Sequence, residues 1–162
     1  MKLYHYTATG YLPSIAANGL WKGEVRASRT ERLNAVWLTS DEHPGKGHDH
    51  GLTDGRPLSA REKRLQGLPL DAPASHPDKR AIRLAVMVPH GDRNLVHWHA
   101  WAKGRLDPTW LATLEASAGS PALARTWFLY WGVIPPHWIV EARHLRSGVE
   151  VSWPPAWDRA GR

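Results

Sequence analysis

The chain has 162 residues, 42% apolar and 22% charged, values that suit one folded domain with its own core and exclude a disordered chain. A formal net charge of +6 favours partners that carry phosphates, nucleic acid among them. Cysteine is absent, which excludes disulfides, thiolate metal sites and cysteine nucleophiles, and no apolar stretch approaches the length needed to span a bilayer.

Residues 2–7, KLYHYT, read as a first strand, rich in aromatic and β-branched side chains but carrying His5 in its middle. TATGYLPSIAANGL predicts a helix that starts at Thr9 or Gly10, tolerates Pro13 in its first turn and stops at Gly19. Residues 21–33 are polar and basic and read as a loop, and AVWLT (35–39) reads as a second strand. The segment 41–79 has little apolar periodicity and many Pro and Gly residues. It predicts a long loop with one short helix near Ser59–Leu65, and a loop of that length in a small domain points to function.

AIRLAVMV (81–88) is a strand ended by Pro89 and Gly91. LVHWHAWAK (95–103) fits two periods, since Trp98 and Trp101 share a helical face while His97 and His99 share a strand face. DPTWLATLEASAG (107–119) has the marks of a helix, with Asp107 as N-cap, Pro108 in the first turn and Gly119 at the end. TWFLYWGVI (126–134), PPHWIVEARHL (135–145) and VEVSW (149–153) give a buried strand, a turn into another strand and a last strand. The expected class is α+β in a single domain over residues 1–162. MKLYHY has no signal-peptide pattern, so the expected location is cytoplasmic.

Tryptophan is the compositional oddity, with 10 copies against one Phe, enough to serve a core and still face a flat ligand. Two histidine pairs, His48/His50 and His97/His99, have the i, i+2 spacing that turns both rings to one side of a strand. With Asp49 and Asp54 they leave a metal-dependent hydrolase as one reading.

LYHYT, LPSIAANGL and NAVWLT together resemble the ADP-ribosyltransferase superfamily over residues 3–40. The polymerase branch shows His-Gly-Ser/Thr, an Ile-Leu-x-x-Gly-Leu helix and an aromatic strand. RNA 2′-phosphotransferases and DNA-modifying toxin transferases show related Tyr-His-x-Thr patterns. WFLYWGVIPPHWIV is more loosely similar to the family's late strand. The resemblance implies a split β-sheet with flanking helices, NAD as substrate and cleavage of the nicotinamide–ribose bond. ADP-ribose would pass to water or to a macromolecular acceptor, with DNA or RNA favoured by the charge.

The implied roles map residue by residue. His5 would bond a ribose hydroxyl, Tyr6 stands where the polymerases clamp the carboxamide through a Gly backbone, and Thr7 would bond ribose. Trp37 matches the stacking aromatic, Thr39 closes the same strand as a further NAD contact, and His48 falls at the spacing of a second stacking residue. Arg26, Arg29 and Arg32 read as a solvated face or, on a loop beside the implied pocket, as a grip for a pyrophosphate or a nucleic-acid phosphate. Thr126, after Arg125, stands where the family places its catalytic Glu. Glu141 is the candidate carboxylate, with Glu150 the other acid at hand. A domain of this type that binds nucleic acid or ADP-ribose without catalysis is the alternative.

Overall fold

A computed structural model describes residues 1–28, 30–43 and 52–154. His48, Asp49, His50 and Arg29 lie outside the described residues.

Among the described residues, nine short strands and five α-helices make up a mixed α/β fold: β1 Lys2–Thr7, α1 Leu12–Asn18, β2 Glu24–Arg26, β3 Arg32–Asn34, β4 Val36–Thr39, α2 Ala60–Leu65, β5 Ile82–Met87, β6 Leu95–His97, α3 Trp98–Ala102, α4 Pro108–Ser117, α5 Pro121–Ala124, β7 Trp127–Tyr130, β8 Ile139–His144 and β9 Glu150–Val151. Seven strands form one antiparallel sheet in the order β6-β7-β4-β1-β5-β8-β9, and β2 and β3 form a separate hairpin. No helix among the described residues is long and apolar enough to cross a membrane.

Because successive strand residues alternate faces, β1 turns Leu3, His5 and Thr7 to one side and Tyr4 and Tyr6 to the other. Register carries this division across the sheet. Tyr4 lies opposite both Thr39 and Ala85, Ala85 opposite Glu141, and Thr39 opposite Trp127. The His5 face is largely aliphatic: Leu3, Leu38, Leu84 and Val86 pack there with Leu12 and Ile15 of α1, with Leu20 and Ile134, and with the buried Tyr130. The other face is divided. Over β4 and β7 it is aromatic, with Trp98 of α3 sealed against Trp37 and Trp127. Over β1 and β5 it is a small cluster of Tyr4, Tyr6 and Ala85, with Arg83 beside it.

Local chemistry accounts for the element ends. Gly19 stops α1 at φ 76°, and a β-carbon there would sit 2.2 Å from the Ile134 carbonyl oxygen, so close approach and backbone sign both demand glycine. That approach lets Leu20 and Ile134 exchange two backbone hydrogen bonds of 2.9 and 2.8 Å. Asp107 caps α4 through the Thr109 and Trp110 amides, and Ser59 with Glu62 forms a capping box on α2.

The loop expected over 21–33 contains the β2–β3 hairpin, which Glu24 clamps by accepting from Arg26 at 2.7 Å and Arg32 at 3.2 Å. The 95–103 stretch is both of the things its two periods suggest, a strand to His97 and a helix from Trp98. Residues 52–80 fold back on themselves through Asp54–Asp78 and Pro57–Ser75 bridges. At their centre the Glu62 carboxylate accepts from Arg56, Ser59 and His76, which holds it well below the usual carboxylate range.

Candidate functional site

β1 pairs with β5 over six residues, but with β4 at a single position, Tyr4–Thr39. A strand's peptide groups point alternately to its two neighbours, so beyond Tyr4 the β4-facing backbone of β1 has no ladder partner, a notch in the pairing. His5 sits at this notch. Its half-buried ring turns Nδ1 to the Trp37 carbonyl oxygen at 2.9 Å, so Nδ1–H donates there. Burial pushes the imidazole below its ordinary 6.5; the Trp37 hydrogen bond acts against this shift and the Lys79 charge adds to it. The neutral ring keeps Nε2 as a hydrogen-bond acceptor, and Nε2 has no bond to any described residue. Thr7 follows on the same face, buried.

The remaining sequence candidates lie across the sheet from His5. Trp37 packs edge-on to Trp127 at 5.4 Å, near Trp98 at 6.1 Å, and its indole N–H donates to the Glu24 carbonyl at 2.8 Å. Its ring is therefore part of the aromatic layer and does not share a face with His5. Thr39 bonds Thr126, hydroxyl to hydroxyl, at 2.7 Å, and Thr126 also donates to the Leu123 carbonyl. Tyr6 donates its hydroxyl to the Asp41 carbonyl at 2.7 Å, and burial holds its phenol above its ordinary range.

Glu141 accepts from Arg83 at 2.7 Å and from Arg143 at 3.2 Å, and the Arg83 hydrogen bond, with the charges around it, holds its carboxyl below the usual range. Arg83 is 4% exposed, lies over the Tyr4 ring, and also pairs with Glu42 at 2.9 Å. Sequence reading missed this buried cation. Its signal was an arginine inside the apolar run AIRLAVMV. Glu150 sits on the edge strand β9, opposite Arg143.

The histidine pair at 97 and 99 does not stay together. His97 ends β6 and bonds the Arg125 carbonyl at 2.7 Å, whereas His99 lies in α3 beside Glu115 at 3.4 Å. No group of three or more His, Asp or Glu side chains among the described residues is arranged to hold a metal ion.

Among the described residues two concavities stand out. One, of about 480 Å³, is lined by His43, Asp54, Arg80, Leu145 and Arg146, and the other, of about 270 Å³, includes His90, Asp92, His97 and Phe128. Neither is lined by His5. The structure thus joins His5 and Thr7 in one place and sets Tyr6, Trp37, Thr39 and Glu141 on the far face. Comparison with protein-family models, with curated proteins and with solved structures finds no match to this chain.

Proposed function

We infer that this chain is an ADP-ribosyltransferase-like domain that binds NAD at the β1–β4 notch, with the ribose held by His5. The observation that carries the reading is the His5 imidazole, fixed at Nδ1 by the Trp37 carbonyl and left with an acceptor at Nε2 where the two strands part. A neutral ring in that state accepts a ribose hydroxyl proton without competing as a cation, and the parting strands leave backbone groups for a carboxamide. The motif resemblance over residues 3–40 supports the same reading.

Binding is favoured over turnover. Cleavage of the nicotinamide–ribose bond calls for a carboxylate near the anomeric carbon to meet the positive charge that develops there. Glu141 is on the opposite face and engaged by two guanidiniums, and Thr126, at the family's Glu position, is tied to Thr39 and Leu123. A carboxylate already neutralised in this way has little field left for a passing oxocarbenium.

Calorimetric titration of NAD into the protein, followed by a nicotinamide assay on the same sample, tests both parts. The expected result is binding that His5→Ala weakens by about tenfold, the loss of one charge-free hydrogen bond and its geometry, with no nicotinamide released. Release that requires Glu141 would turn the binder into a transferase. Failure of the folded wild-type protein to bind NAD would return His5 to the role of a core histidine.

A further inference from the structure

Strand alternation beside the Leu20–Ile134 bridge has a second result. Leu20 and Ile134 turn into the aliphatic core, so their neighbours Trp21 and Val133 turn outward, and they are 46% and 55% exposed. Neither belongs to a core cluster. Trp131 lies two residues from Val133, partly exposed, with its ring 5.6 Å from that of Trp101. The Arg105 guanidinium covers Trp101 at 5.7 Å. The antiparallel bridge thus sets Trp21 beside Val133, two residues from Trp131, whose ring meets Trp101 and its covering cation.

Both signs lie around these rings, with the cations in excess. Lys22, Arg93, Lys103 and Arg105 are all exposed. The nearby acids are committed elsewhere: Glu24 to Arg26 and Arg32, Asp92 to the Tyr130 hydroxyl and the Asn94 amide, and Asp107 to the α4 amides. Flat apolar rings set among cations suit a ligand that alternates flat rings with anions. A carbohydrate would use the rings and leave the cations unanswered. An acidic protein would use the cations and gain little from the ring faces.

We propose that the Trp21–Trp131–Trp101 surface binds single-stranded nucleic acid, stacking bases on the indoles and pairing phosphates with Lys22 and Arg105. Trp101 and Trp131 pack on the aromatic layer, across the sheet from His5, and the proposal stands independently of NAD binding.

The test is fluorescence anisotropy of a labelled single-stranded oligonucleotide of about a dozen nucleotides, without NAD, over a range of salt. Trp21→Ala is expected to weaken binding about tenfold, and Trp21→Phe, which keeps a flat ring, to restore most of it. Lys22→Ala is expected to lower the salt slope by about 0.7 with a smaller loss of affinity. Equal binding by wild type and Trp21→Ala would overturn the proposal, because charge alone would then account for the complex. Duplex bound as tightly as single strand would overturn it too, since paired bases cannot stack on the rings. Concentration-dependent dimerisation lost in Trp21→Ala, without oligonucleotide binding, would assign the surface to a second copy of the chain instead.

Discussion

On one side of the sheet, β1 contributes Leu3, His5 and Thr7 to an aliphatic layer. On the other, it contributes Tyr4 and Tyr6 to a layer of aromatic rings and buried charge. The first side is largely aliphatic from β4 to β8 under α1, with Tyr130 buried in it, and on β1 it carries the polar His5 and Thr7. The opposite side is held by directional contacts: indoles edge to face over β4 and β7, and Arg83 between Glu42 and Glu141 over β5 and β8. A polar group that interrupts an otherwise apolar layer costs stability unless its bonds are met. His5 meets one of its two and leaves Nε2 without a partner among the described residues, while the opposite face leaves the buried Arg83 Nε and Trp98 Nε1 without one. Those two donors are sealed from solvent and Nε2 is not, so His5 is the better place to look for a ligand.

Substitutions on each side sharpen this contrast. Trp98→Ala empties the centre of the aromatic layer, where the ring is fully buried, and is expected to cost about 3–5 kcal/mol in urea unfolding. A loss below about 1 kcal/mol would mean that the indoles do not act as a packed unit.

Arg83→Met leaves Glu141 and Glu42 without their shared cation. A fully buried pair would cost about 3–5 kcal/mol to break, but Glu141 is 23% exposed and Glu42 43%, so water screens both and about 2 kcal/mol is expected. Adding Glu141→Leu should recover part of that loss. A double variant no more stable than the single would show that Arg83 matters for packing on Tyr4 and not for its charge.

The smallest effect is a pH dependence. The folded His5 pKa lies below its unfolded value of 6.5, so the unfolded chain takes up the proton first. The histidine's contribution is intact above pH 6.5 and declines as the pH falls below it. Glu141, whose carboxyl is lowered when folded, adds a loss in the same direction below its ordinary 4.5. His5→Gln should flatten the stability curve just below pH 6.5 and leave the acid limb unchanged. An identical curve in the variant would show that the folded protein accepts the charged ring.

Much of the fold was legible because its signals are local. Aromatic and β-branched residues marked β1, an apolar run ended by Pro89 and Gly91 marked β5, Gly19 ended α1, and Asp107 with Pro108 opened α4. The β2–β3 hairpin was hidden because its strands are three residues long, too short for a period to show among polar residues. The site was less legible for a different reason. Whether His5 and Trp37 share a face depends on the register between β1 and β4, set by Tyr4 opposite Thr39, and nothing in either segment alone encodes that offset. The pairing of Glu141 with Arg83 is likewise a product of strand order, across 58 positions of sequence.

The strand order also has a consequence for synthesis. β4 lies between β1 and β7, and β7 begins at Trp127, after most of the chain. While the chain emerges from the ribosome, the far edge of β4 has no strand to meet, and Trp37 has neither Trp98 nor Trp127 to cover it. A non-local pairing of this kind is slow to nucleate and leaves a sticky edge in the meantime. Ile134, arriving a few residues after β7, completes the bridge to Leu20. The last third of the chain therefore closes the fold over a first third that has waited for it.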